Sequence, residues 1–157
     1  MDLSGLRDIE CESLLVDGRS GDSDALGIFR EELASLGVVL PLSLRVSLSI
    51  SELASPVSSG VGRVVCTLNG ASSASDDALR GFAIEASGRG IPVEWELDCK
   101  DAEIPGWVAK LAALPVGSPP AALSLFETAS LHDYRVLVSA LANHGFERTP
   151  IVLRQAV

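Results

Sequence analysis

Apolar residues recur along the chain with two different periods. Three runs have the length and composition of strands: Arg63-Val64-Val65-Cys66-Thr67-Leu68, Pro92-Val93-Glu94-Trp95-Glu96-Leu97 and Ala121-Ala122-Leu123-Ser124-Leu125-Phe126. Each closes on a polar residue, and these three, Asn69, Asp98 and Glu127, are equally spaced as i, i+29 and i+58. The following segments keep that register: Ala78, Trp107 and Val136 coincide, then Leu79, Val108 and Leu137, then Phe82, Leu111 and Ala140, then Ala83, Ala112 and Leu141. Offsets of one, four and five positions are the spacing of one helix face. The pattern predicts helices over 74–88, 104–114 and 131–144, each preceded by a strand.

Local chemistry marks the helix ends. Ser73 to Asp77 offers N-capping side chains and first-turn carboxylates, and Ser130 with Asp133 three positions on has the form of a capping box. Pro105 stands in the first turn of the middle helix, where its missing N–H costs nothing, and Gly88 and Gly145 close the other two. Gly117-Ser118-Pro119-Pro120 reads as loop.

An earlier copy of the unit lies near the N-terminus, where Glu12-Ser13-Leu14-Leu15-Val16 ends at Asp17 and Ala25, Leu26, Phe29 and Leu33 follow, closing at Gly37. Leu42 to Ile50 then alternates: Leu42, Leu44, Val46, Leu48 and Ile50 on one side, Ser43, Arg45, Ser47 and Ser49 on the other. Such alternation predicts a strand with one wet face, a candidate for a sheet edge. Residues 51–61 lack a helical pattern, so this strand joins the next by a hairpin-like return or a short crossover.

Six strands and four helices in the order βαββαβαβαβ specify a single α/β domain spanning 1–157. Its sheet is expected to be open and mainly parallel, built from ~29-residue βα repeats with helices on both faces. The alternative is a βα solenoid of leucine-rich-repeat type, whose longer repeats have this length. Cys66-x-Leu68, Trp95-x-Leu97 and Leu123-x-Leu125 resemble the central L-x-L of such repeats. The position three further on, Asn or Cys in that pattern, is here Ala71, Lys100 and Thr128.

Charge narrows the partners. The chain carries 12 basic and 21 acidic residues, net −9, so a nucleic acid is repelled rather than steered. Up to Ala78 there are 5 basic and 12 acidic residues, and beyond it 7 and 9, which concentrates the acidity in the first half. A basic protein partner suits this balance, which also serves plain solubility. Hydrophobic residues make up 47% of the chain, ample for a core. The N-terminal residues have neither a basic n-region nor an apolar h-region, and no stretch approaches membrane-spanning length. The three cysteines, Cys11, Cys66 and Cys99, form neither a disulfide framework nor a CxxC site. The expectation is a cytoplasmic protein without membrane attachment.

Ligands of open parallel sheets bind outside the carboxyl ends of the strands, so the strand-end residues Asp17, Asn69, Asp98 and Glu127 are the candidate site. Carboxylates on one rim are suited to acid–base work or Mg²⁺, although a polar residue commonly follows any strand and caps the next helix. Asp98-Cys99-Lys100, with Glu96 before it, resembles the D-x-K half of restriction-endonuclease-like nucleases over three residues. The partner aspartate should end an earlier strand, whereas Asp76 and Asp77 open a helix. Phosphate loops and the G-x-S-x-G elbow are absent, and Gly70-Ala71-Ser72-Ser73 reads as an ordinary helix start. His132 and His144 stand at opposite ends of one helix. Cys66 has core parity, while Cys99 beside Lys100 is the candidate reactive thiol. Trp95 and Trp107 fall on packing positions. No cofactor or metal is expected. These features favour a non-catalytic acidic protein acting through protein–protein binding, as a regulator, adaptor or toxin neutraliser. The alternative is a small enzyme or small-molecule binder using the strand-end rim.

Overall fold

A computed structural model describes residues 14–17, 25–37, 41–49, 53, 61–69, 76–114 and 120–153. Its elements follow the chain as β1 (Leu14–Asp17), α1 (Ala25–Ser35), β2 (Leu42–Val46), β3 (Arg63–Asn69), α2 (Asp76–Gly88), β4 (Val93–Asp98), a 3₁₀ turn (Asp101–Glu103), α3 (Ile104–Ala112), β5 (Ala122–Leu125), α4 (Leu131–Asn143) and β6 (Ile151–Val152). The six strands form one open sheet in the spatial order of the sequence, β1 to β6, and every neighbouring pair is parallel.

Because β2 lies between β1 and β3, it is an interior strand and not the expected edge. Its parallel pairing with β3 also excludes the hairpin-like return, leaving a crossover. Most of that connection lies outside the described residues, as does Ser73 of the expected cap, but Leu53 within it is fully buried. Ladder partners in successive strands are not evenly spaced. Leu14 pairs with Leu42, Val64 with Val93, Trp95 with Leu123 and Leu123 with Ile151, all at offsets of i+28 or i+29. Leu44, by contrast, pairs with Val64 at only i+20. The i+29 offset of the sequence pattern thus joins only β3 to β4, where Asn69 faces Asp98.

The two faces of the sheet differ in chemistry. Leu42, Leu44, Val46, Val64, Cys66, Leu68, Trp95, Leu97, Leu123 and Leu125 share one face and one apolar cluster with the buried residues of all four helices. The described helices therefore pack on one face instead of the expected two. That arrangement follows from strand order: right-handed crossovers that always step to the next strand on the same side put every helix on the same face. The stripe Leu79, Phe82, Val108, Leu111, Leu137 and Leu141 is buried throughout. Ala112, aligned with Ala83 and Leu141 by the sequence pattern, is exposed because α3 ends there.

Helix ends obey the expected chemistry with one shift. Ser130 accepts the Asp133 amide N–H through its hydroxyl while the Asp133 carboxylate accepts the Ser130 N–H at 2.7 Å, completing the capping box of α4. Gly145, at φ +77°, ends α4, whereas α2 ends on Gly90, at φ +68°, with Gly88 still helical. The Ile91 N–H then reaches the Ala86 carbonyl at 2.9 Å, the long return bond of a Schellman turn.

Phe82 of α2 meets Trp95 of β4 edge to face, with centroids 5.8 Å apart at 60°, at the centre of the core. Truncation of Phe82 to alanine is expected to cost about 3–5 kcal/mol of stability in urea unfolding monitored by Trp95 fluorescence. Ile84→Ala, on the exposed side of the same helix, is expected to stay within about 0.5 kcal/mol.

Candidate functional site

Parallel strands feeding helices on one side bring the strand C-termini and the helix N-termini to the same edge. The four strand-end candidates lie there, but in two groups. Asn69 and Asp98 are direct ladder partners at the ends of β3 and β4. Asp17, at the end of β1, and Glu127, in the turn after β5, meet over Arg45 of β2, whose Nη1 lies 3.4 Å from Asp17 Oδ2 and 3.5 Å from Glu127 Oε1.

Arg45 is the residue that the alternating pattern assigned to a wet face. Its side chain is only 6% exposed. Its Nη2 donates to Glu96 Oε2 at 2.9 Å, and its guanidinium carbon lies 5.1 Å from the centre of the Phe126 ring. Burial opposes the charge, but the hydrogen bond and charge of Glu96, joined by those of Asp17, outweigh it and raise the Arg45 pKa. Nε is the one buried side-chain nitrogen or oxygen among the described residues without a hydrogen-bond partner.

A layer of buried polar side chains covers the sheet face opposite the helices. Glu96 accepts the Thr67 hydroxyl at 3.0 Å on its second oxygen. Glu94 accepts the Ser124 hydroxyl at 2.7 Å on one oxygen and Arg63 Nη1 at 3.2 Å on the other. Both glutamates are fully buried. Their positions carried a legible signal, since Glu94 and Glu96 alternate with Val93, Trp95 and Leu97. What the pattern lacked was the register that sets Glu96 beside Thr67 and within reach of Arg45.

Beside this layer, a cleft of about 300 Å³ opens between the ends of β4 and β5, lined by Asp98, Cys99, Asp101, Phe126, Thr128 and Asp133 among others. Of the strand-end candidates, Asp98 lines it. Asp101 accepts the Ala102 N–H at 2.8 Å and meets His132 Nε2 at 3.2 Å. The Asp133 carboxyl is lowered from its ordinary value by the backbone N–H and hydroxyl of Ser130. These groups are thus committed to the 3₁₀ turn and the α4 cap. Among the described residues, no three His, Cys, Asp or Glu side chains are grouped to hold a metal ion.

Cys99 does not have the setting of an activated nucleophile. Burial, and after it the negative charges of Glu103, Asp98 and Asp133, push its thiol up to about 11. Lys100, its neighbour in the sequence, is exposed at the turn and donates its backbone N–H to Glu103 at 2.9 Å. Cys66 is buried in the core. Among the described residues, no helix is long and apolar enough to cross a membrane. Comparison of the chain with protein-family models, with curated proteins and with solved structures gives no match.

Alkylation of Cys99, followed by peptide mass spectrometry, is expected to accelerate steadily through about pH 10 and to level near the thiol's own value of about 11. A plateau below about pH 9 contradicts this environment. Arg45→Met strips Glu96 of its cation inside the protein and is expected to cost about 3–5 kcal/mol in equilibrium unfolding, as for other buried pairs that lose one partner.

Proposed function

We infer that the protein is a non-catalytic binding module that engages a basic protein surface through the edge formed by its strand C-termini and helix N-termini. The observation that carries this reading is the charge of that edge. Asp17, Asp98 and Glu127 come from the strand ends, Asp76 and Asp77 from the first turn of α2, Asp101 and Glu103 from the 3₁₀ turn, and Asp133 from the first turn of α4. Among the described residues, these eight carboxylates are accompanied by Arg45, which is buried, by Lys100, by Arg80 and Lys110, which reach Asp77 at 3.9 Å and Asp76 at 3.3 Å, and by the imidazole of His132 beside Asp101. A surface of this kind accelerates encounter with a cationic partner and disfavours anionic ones.

The architecture suits such a role. Sequential parallel strands, helices on one face and ladder offsets that mostly fall at i+28 or i+29 support a short βα solenoid of the leucine-rich-repeat kind, a scaffold class used for protein binding. The missing turn asparagine or cysteine sets it apart from the standard repeat.

The test begins with partner capture from the native source and proceeds to the purified pair. Affinity is expected to fall about tenfold or more between about 0.05 and 0.5 M salt, as the Debye length shrinks. The triple variant Asp98→Asn, Asp101→Asn, Glu127→Gln is expected to weaken binding and flatten the salt dependence. A salt-independent interaction, or turnover that disappears in Asp98→Ala with the fold retained, refutes the reading.

A further inference from the structure

The described helices stand on one face of the sheet, so each has a flank toward the unit before it and a flank toward the unit after it. Successive helix positions are turned by about 100°, so the residue preceding a core position looks to one side and the residue following it to the other. Two contacts identify the sides. Lys110, just before the buried Leu111 of α3, reaches back to Asp76 of α2 at 3.3 Å. His132, one turn ahead of Val136 and so on the flank that precedes the buried Leu137 of α4, reaches back to Asp101 of the turn before α3 at 3.2 Å. Residues before a core position therefore face the preceding unit. By that rule Ile28 and Glu32 of α1, which precede Phe29 and Leu33, look out of the front of the stack, and Val138 of α4, which follows Leu137, looks out of the back. Leu131, two turns before Val138, shares its side.

Both ends carry apolar side chains where the outer side of a terminal unit is normally polar. Among the described residues five large apolar side chains are exposed, and four of them, Ile28, Leu131, Val138 and Leu153, belong to the first or the last unit, each more than half exposed. At these ends β1 and β6 each have one neighbour in the sheet. The charges of the two ends differ in sign. Residues 1–37 carry nine acidic and three basic side chains, whereas residues 131–157 carry three arginines and two carboxylates, one of which, Asp133, is engaged in the cap of α4. Front against front brings two acidic units together. Front against back pairs opposite signs and sets β1 beside β6 in the parallel sense of the sheet. We propose that the protein associates head to tail with copies of itself, with Ile28 and Glu32 of one copy seated against Leu131 and Val138 of the next. Such a contact uses a different surface on each copy, so a pair keeps one free end of each kind and association continues beyond two.

Sedimentation velocity of the full chain between about 10 μM and about 1 mM, the range of weak association, reads this directly. The weight-average mass of the wild-type protein is expected to rise with concentration from that of one copy to beyond that of two. Ile28→Glu and Val138→Glu each place a charge at one end, on exposed positions that leave the core intact, and each alone is expected to self-associate about tenfold or more weakly. Mixed in equal amounts, the two are expected to form a two-copy species and to stop there, because the intact back of the first meets the intact front of the second. Ile84→Glu, exposed on α2 between the two ends, adds the same charge and is expected to associate as the wild type does. Circular dichroism and the urea midpoint verify that each variant is folded. A wild-type protein that sediments as one copy throughout overturns the proposal and leaves the two ends to a different partner. Self-association retained by either end variant, a mixture that stays as single copies, or an equal loss in Ile84→Glu overturns the head-to-tail arrangement.

Discussion

Two glutamates on one strand, with no water to solvate them, constrain the sheet more than any apolar contact does. Glu94 and Glu96 on β4 are both fully buried, and an unmet carboxylate in such a place costs several kcal/mol. Each is met from both sides: Arg63 of β3 and Ser124 of β5 serve Glu94, and Thr67 of β3 and Arg45 of β2 serve Glu96. The apolar face alone would tolerate a slip of β4 by two positions, since Trp95 and Leu97 would still point inward. The polar face would not, because one glutamate would take over the other's donors while the second stayed on the polar face without its own. The layer thus specifies register where hydrophobic alternation leaves it open.

How far the sequence discloses this arrangement depends on the range of the interaction. The stripe Leu79, Val108, Leu137 announces three helices because helical spacing is a local property, and the cap Ser130–Asp133 is local too. Strand order was within reach, since each unit had only to be laid beside the last. Arg45 is legible in the sequence as a polar position but not as a buried one. Alternation says that two faces of a strand differ, but it does not say that the polar face meets water. Its partner Glu96 stands two strands further along the chain, and no local pattern connects them. The strand-end candidates suffered in the same way. Asp17, Asn69, Asp98 and Glu127 all lie at the expected edge, but the grouping of Asp17 with Glu127 depends on a side chain from another element.

The charge of that edge has a local origin and a global effect. A carboxylate in the first turn of a helix faces the positive end of the backbone dipole, so Asp76, Asp77, Asp101, Glu103 and Asp133 are each favourable where they stand. Parallel connectivity then aligns all the helix starts on one side of the molecule. An asymmetric field therefore arises from residues that each satisfy an ordinary helix end, with Asp17, Asp98 and Glu127 adding to it from the strands.

Sequential strand order has a consequence for how such a chain comes apart and how it could have grown. Every strand pairs only with the strands before and after it in the sequence, so the contacts are short-range along the chain for its size. Cooperative opening can then start at either end and travel inward, from the short strands β1 and β6 toward the long ladder of β3 and β4. Protection of amide hydrogens from exchange would rise from both ends and peak in the middle of the chain. The same order lets units be gained or lost at an end without rethreading the rest. The step from β2 to β3, at i+20, is shorter than its neighbours at i+28 and i+29, so units gained or lost in this way need not share one length.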